Sequence, residues 1–322
     1  MAVTVITPAF NEADNLSLLH EQVKRVMDNA GLDWEWIVID DHSGDGTFSV
    51  LRDIARAEDR LRAYRFARNS GSHLAIRCGL DHARGDCAVV MAADLQDPPE
   101  TIPLLVEKWK AGTDVVWAVR EERLGESKRT LLFARLYYWL MRRVVGLQSI
   151  PEHGADFFLI DRKVIDALGR FPESNTSIFA LLSWMGFKQD SVSYVKRART
   201  YGHTGWTFGR KVKLLLDSVT SFSYFPIRIM SVAGFCLASL GFLYALFVIV
   251  HAILRRPVPG WSSLMVAVLV IGGVQMLMMG ILGEYLWRSL DESRRRPRFL
   301  IEASTEKTEE REGQPPEEAR GG

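Results

Sequence analysis

Between Val232 and Ile253 the only side chain able to carry a charge is His251, and between Leu264 and Gly283 there is none, Gln275 being the most polar. Each run reaches about 20 residues, enough to cross roughly 30 Å of hydrocarbon as a helix. Buried core helices are the alternative, but they seldom run this far without a charge. The connection Leu254-Arg255-Arg256-Pro257-Val258-Pro259-Gly260-Trp261 is short, carries prolines and ends in an aromatic suited to a membrane interface. The pattern predicts a helical hairpin spanning a membrane.

Charge on the flanks orients that hairpin. Arg210, Lys211, Lys213 and Arg228 precede it and Arg288, Arg294, Arg295, Arg296 and Arg298 follow it, against Arg255 and Arg256 in the link. The positive-inside bias places both ends in the cytosol. Val3 to Thr7 runs straight into Pro8 with no charged n-region, so no secretory signal is expected. Forty basic against thirty-nine acidic residues give +1 overall, and no global field marks a nucleic-acid binder. Cys78, Cys87 and Cys236 fit neither a disulfide framework nor a zinc cluster.

Ahead of the hairpin, short apolar runs alternate with helical stretches. The runs are Val3–Thr7, Trp34–Ile39, Leu61–Phe66, Cys87–Met91 and Asp114–Val119. Leu16, Leu19, Val23, Val26, Met27 and Ala30 recur at helical spacing, with Asp14 placed to cap the start. This alternation predicts an α/β domain with a mainly parallel sheet covered on both faces, its ligands at the carboxyl ends of the strands. Polar residues fall there: Thr7 to Glu12, Asp40 to Thr47, Arg68 to Gly71, and Asp94 to Glu100. Turns and helix caps explain any one of these segments. Four at successive strand ends point to a site for a nucleotide and a divalent cation.

The segments Pro8-Ala9-Phe10-Asn11-Glu12, Asp40-Asp41 through Asp45, Asn69-Ser70-Gly71 with Ala75 and Gly79, Asp94-Leu95-Gln96-Asp97-Pro98-Pro99-Glu100, Asp156 through Arg162, and Gly283-Glu284-Tyr285-Leu286 leading to Arg296-Pro297-Arg298-Phe299 carry a family resemblance. In this order the chain is similar to the polyprenyl-phosphate (dolichol-phosphate mannose synthase-like) glycosyltransferases of family 2. The resemblance implies a GT-A, Rossmann-like fold plus two transmembrane helices. It implies inverting transfer of a sugar from a UDP- or GDP-linked donor to a membrane polyprenyl phosphate, with Mg2+ or Mn2+ as cofactor. It assigns Pro8, Phe10, Glu12, Asp40 and Asp41 to the nucleotide, Asp94 and Gln96 to the metal and diphosphate, and Asp156 to the acceptor side as general base or metal partner.

The division expected on this basis is a catalytic domain over 1–205, an amphipathic juxtamembrane segment over 206–230 and the hairpin over 231–287. A basic cytosolic segment over 288–301 and a disordered acidic tail over 302–322 follow. The protein is expected in the inner (cytoplasmic) membrane with catalytic domain and termini cytosolic; a homo-oligomer is compatible with the sequence.

An acceptor phosphate monoester is already largely ionised at neutral pH, its second pKa being about 6. Cationic positioning of two anions then matters more than a strong base. Arg120, Arg123, Lys128 and Arg129 form one basic cluster suited to the acceptor phosphate, and residues 196–213 contain six basic and no acidic residues. Attraction to anionic headgroups explains both clusters equally well. Residues 131–147 place aliphatics and aromatics beside Arg135, Arg142 and Arg143, as an interfacial helix does; packing against the protein is the ordinary alternative.

Where the family has Asp-x-Asp, this chain reads Ala92-Ala93-Asp94; Phe158 stands in place of an Arg, and Gly202 to Trp206 replaces a Gly-Glu-Ser-Lys-Tyr pattern. The lost carboxylate opens an alternative, a membrane-anchored nucleotide-sugar-binding protein or synthase partner without catalysis.

Overall fold

In the computed structural model, residues 1–121, 156–171, 177–197, 225–254, 260–294 and 296–306 are described. Five strands form close to the apolar runs: β1 (Ala2–Ala9), β2 (Asp33–Asp40), β3 (Leu61–Phe66), β4 (Cys87–Val90) and β5 (Val115–Arg120). Helices α1 (Ala13–Asn29), α2 (Thr47–Ala57), α3 (Ser72–His82) and α4 (Ile102–Lys110) connect them. There follow β6 (Phe158–Asp161), α5 (Arg162–Gly169), α6 (Ile178–Trp184), β7 (Gln189–Tyr194), the long helices α7 (Phe225–Ile253) and α8 (Trp261–Ser293), and β8 (Ile301–Ser304).

The eight strands among the described residues share one sheet, in the order β7-β5-β6-β4-β1-β2-β3-β8. The pairings β1·β2, β1·β4, β2·β3 and β5·β7 are parallel, while β3·β8, β4·β6 and β5·β6 are antiparallel. The sheet is therefore mixed, because β6 and β8 run against their neighbours. Alternation along β1 sends Val3 and Val5 into a core with Leu16, Leu19, Leu51 and Leu105, and sends Ile6 into a second core with Ala75, Ile76, Val164 and Leu182. Helices α1, α2 and α4 thus cover one face, and α3, α5 and α6 the other. The approach of α3 requires glycine at 79, where a Cβ would collide with the Ile6 side chain.

The chain leaves β1 toward β2 and β3, then returns to add β4 on the other side of β1. This reversal makes the crevice beyond the carboxyl ends of β1 and β4 the place where an open α/β sheet takes its ligands. Asp14 does not cap α1: it lies in the first turn, and the cap position is Glu12, whose carbonyl accepts from Asn15 N at 3.0 Å.

Residues 302–306 depart from the expectation of a disordered tail beginning at 302. Ala303 pairs with Arg65 and Ser304 with Tyr64 on β3. Thr305 N donates to the Ala63 carbonyl at 2.9 Å, and Glu306 meets Arg62 at 2.9 Å. An apolar pair leads into the strand, with Phe299 stacked on Phe66 at 5.2 Å, and the Arg298 guanidinium donates to the Phe171 carbonyl. Acid-rich composition does not preclude pairing where an edge strand offers free backbone groups and facing arginines. Residues 307–322 lie outside the described residues, as do 206–224.

Helices α7 and α8 contain the two apolar runs, in windows Ile227–Tyr244 and Val270–Asp291 that are long and apolar enough to cross a membrane. Their large side chains are exposed, Phe235 at 75% and Met276 at 72%. A helix apolar all round has no water-facing side, which suits hydrocarbon.

Candidate active site

Among the described residues, three other than glycine adopt positive φ: Asn11 (58°), His42 (61°) and Leu95 (60°). Each sits just past the end of β1, β2 or β4. Asn and His tolerate this conformation, but for Leu95 it costs on the order of 1 kcal/mol or more, and such strain gathers at functional sites.

The first two turns are stitched together. Asn11 N donates to Ser43 Oγ at 2.8 Å, and its side-chain oxygen accepts from Gly44 N at 2.9 Å. Glu12 N donates to Thr47 Oγ1 at 3.0 Å, while Thr47 donates to Asp45 at 2.6 Å. Pro8, Phe10 and Glu12 are thereby brought beside Asp40 and Asp41. Phe10 remains 49% exposed, an apolar ring at the mouth of a polar crevice.

Asp40 is fully buried. Its Oδ1 accepts from Ser43 N at 2.9 Å, its Oδ2 accepts no hydrogen bond among the described residues, and Arg65 lies 3.7 Å away. Asp41 accepts from Ser70 N at 2.6 Å and Gly71 N at 2.8 Å. Burial, reinforced by the adjacent Asp40, nevertheless pushes the Asp41 carboxyl above its usual range. The β8 return reaches this region too: Glu302 approaches Arg65 at 3.2 Å and His42 at 3.7 Å.

On the other side of the crevice, Asp94 lies four residues past β4 and is 7% exposed. Its Oδ1 accepts from Gln96 N at 3.2 Å, across the strained Leu95. Gln96 is held by residues beyond β7, its Nε2 donating to the Arg197 carbonyl at 3.3 Å and its own carbonyl accepting from Arg197 N at 2.9 Å. Asp156, just before β6, is 56% exposed at its side chain and accepts from Arg120 Nη2 at 2.9 Å. Arg120, expected to meet the acceptor phosphate, is thus already paired and mostly buried. Burial opposes its charge, but Asp156 and the Tyr194 hydroxyl outweigh it and hold the Arg120 pKa above the ordinary value. Arg123, Lys128 and Arg129 lie outside the described residues.

Two groups here escaped the sequence reading. Asp97 is fully buried and accepts from the Tyr194 hydroxyl at 2.6 Å, with Lys196 Nζ 3.7 Å away. Its only sequence signal was its place in the Asp94 segment. His73, at the start of α3, packs edge-on to Phe179 at 5.0 Å with a buried Nδ1 that has no hydrogen-bond partner among the described residues. Burial lowers its pKa, and the nearby Asp156 partly offsets that.

Residues 4–169 match glycosyl transferase family 2, and residues 225–288 match the GtrB C-terminal hairpin. The chain belongs to glycosyl transferase family 2: it is a glycosyltransferase built from a GT-A domain and an apolar two-helix hairpin. Among its relatives, the uncharacterized glycosyltransferase YkcC of Bacillus subtilis (strain 168) is 37% identical over 94% of this chain and 93% of its own length. The bactoprenol glucosyl transferase of Shigella phage SfV is 35% identical over 95% of this chain and 100% of its own. Of solved structures, the mannosyltransferase PcManGT from Pyrobaculum calidifontis in complex with GDP-Man and Mn2+ is 19% identical, covers 88% of this chain and 87% of that one, and has a TM-score of 0.45.

Proposed function

We propose that this glycosyltransferase moves a sugar from a nucleoside diphosphate to the phosphate of a membrane polyprenol, with inversion, at the cytosolic face of the inner membrane. The observation that carries the reading is the presence in one chain of Asp40, Asp41 and Asp94 at strand ends around the β1/β4 switch point and of an apolar hairpin. Full-length similarity to a bactoprenol glucosyl transferase supports the lipid acceptor.

In this reading Asp40 and Asp41 receive hydrogen bonds from the nucleoside, and the exposed Phe10 ring offers the base a stacking surface. Pro8 and Glu12 fix the turn that carries Phe10. A divalent cation, Mg2+ or Mn2+, supplies charge neutralisation on the departing diphosphate. The residues fit such an ion: Mg2+ is held by one or two carboxylates together with substrate phosphates and keeps several waters. Asp94 would provide one carboxylate and Gln96 an amide oxygen, and the donor's own phosphates would complete the set. On the acceptor side, the lipid phosphate is ionised at neutral pH, so Arg120 acts chiefly by placing it in line with the anomeric carbon, with Asp156 serving the acceptor side as general base or metal partner. Arg123, Lys128 and Arg129 add positive charge toward the acceptor phosphate.

The test is transfer by the full-length chain in detergent, supplied with labelled UDP- and GDP-sugars, undecaprenyl phosphate and Mg2+ or Mn2+. An organic-extractable labelled lipid is expected with one of the donors. Ala92 favours a second reading, a membrane-anchored nucleotide-sugar-binding protein without transfer. Donor binding with no glycolipid from any donor would establish that reading instead.

A further inference from the structure

Asp97 presents an energetic problem that its surroundings only half solve. A carboxylate removed from water costs several kcal/mol unless it is paired and hydrogen-bonded. Here Oδ1 takes the Tyr194 hydroxyl at 2.6 Å and lies 3.7 Å from Lys196, while Oδ2 is buried and accepts no hydrogen bond among the described residues. Buried polar pairs of this kind can fix one arrangement of their neighbours rather than add stability.

Its partner shows what is oriented. Tyr194 is the last residue of β7, and the parallel register sets it opposite Arg120, the last residue of β5. The Tyr194 carbonyl accepts from Glu121 N at 3.0 Å, and its ring meets Phe157 edge-on at 5.7 Å. Phe157 adjoins Asp156, and Asp156 is the carboxylate that Arg120 holds. Asp97 is itself three residues beyond Asp94, across the strained Leu95. One tyrosine therefore joins the turn expected to carry the donor's cation to the pair expected to face the acceptor.

We propose that Asp97 and Tyr194 are positioning residues: their buried hydrogen bond locks Arg120, and through it Asp156, at a fixed place relative to the Asp94 turn. Lys196 Nζ lies 3.7 Å from the same Asp97 oxygen. The inference rests on the transfer activity proposed above. It assigns these residues no contact with substrate; they set the relative placement of two groups that act on opposite sides of the bond being made.

Tyr194→Phe tests this, because it keeps the ring on Phe157 and removes only the hydroxyl. In the full-length chain with its donor and undecaprenyl phosphate, kcat is expected to fall at least tenfold. Donor KM should stay within about twofold, and the thermal midpoint near that of the parent protein. Asp97→Asn, whose amide oxygen can still accept from the Tyr194 hydroxyl, should lose less kcat than Tyr194→Phe. Tyr194→Phe combined with Arg120→Lys should lose less than the product of the single losses, since both act through one placement. A kcat for Tyr194→Phe within twofold of the parent overturns the proposal. So does a loss of kcat that travels with an equal rise in donor KM and a lower melting point in both single variants, which marks a merely structural bond. Absence of transfer by the parent chain overturns the proposed function, and this inference with it; an active parent with an unaffected Tyr194→Phe variant overturns the relay alone.

Discussion

The backbone N–H of Gly71 donates to Asp41 Oδ2 at 2.8 Å, and it does so from φ +92°, a conformation that side-chain-bearing residues rarely adopt. Gly71→Ala keeps the space open but strains the backbone, at a cost of about 1–3 kcal/mol. We expect a lower melting temperature and nucleotide affinity weakened roughly tenfold, that factor being about 1.4 kcal/mol. Asp41→Asn should cost about 1–3 kcal/mol as well, because an amide NH2 would face a backbone N–H. Thermal unfolding together with UDP and GDP titration calorimetry measures both.

Asp94→Ala should abolish transfer while the chain stays folded, since a strand-end carboxylate in a ligand crevice contributes little to the apolar cores. Mn2+-dependent tightening of nucleotide binding should disappear in the same variant. Turnover equal to that of the parent would refute the metal assignment.

Asp156→Asn should reduce turnover more than donor affinity. The side chain is 56% exposed, so stability should change by less than about 1 kcal/mol. Steady-state kinetics with each substrate varied in turn gives the comparison. An equal loss of donor binding would place Asp156 on the donor side instead.

Acid should release one particular clamp. Glu58 is 8% exposed and accepts from Arg60 at 2.7 and 2.9 Å and from Lys24 at 2.8 Å. The hydrogen bonds from Arg60, opposed by burial and aided by Lys24, pull its carboxyl from the ordinary 4.5 down to about 2. A carboxyl held lower in the folded chain than in the unfolded one contributes stability above pH 4.5 and loses it as pH falls toward 2. Glu58→Gln should lower stability by about 2 kcal/mol at neutral pH. Parent and variant melting curves should converge across that window, and a gap unchanged with pH would refute the assignment.

The first five strands were legible because β1 through β5 are compact apolar runs bounded by polar turns, and burial on both faces leaves that mark. Strands β6 and β8 run antiparallel to their neighbours, outside the strand–helix alternation that exposed the equally short β4. The pairing of β8 with β3 joins residues more than two hundred positions apart, so no local pattern announces it. In the site, the carboxylates at successive strand ends stood out because turns concentrate polar residues where ligands bind. Asp97 did not stand apart from Asp94 and Gln96, because burial depends on Tyr194 and Lys196 arriving from β7. Arg120 was legible as a cation but not as the partner of Asp156, for the same reason.

The apolar hairpin lies, along the chain, between β7 and β8, and these are the two outermost strands of the sheet. Along the chain, the hairpin is thus bracketed by the two opposite rims of one sheet. One rim is joined by backbone pairing to β3, beside the turns that bear Asp40 and Asp41. Severing the chain near residue 298 would leave the hairpin attached at one rim only.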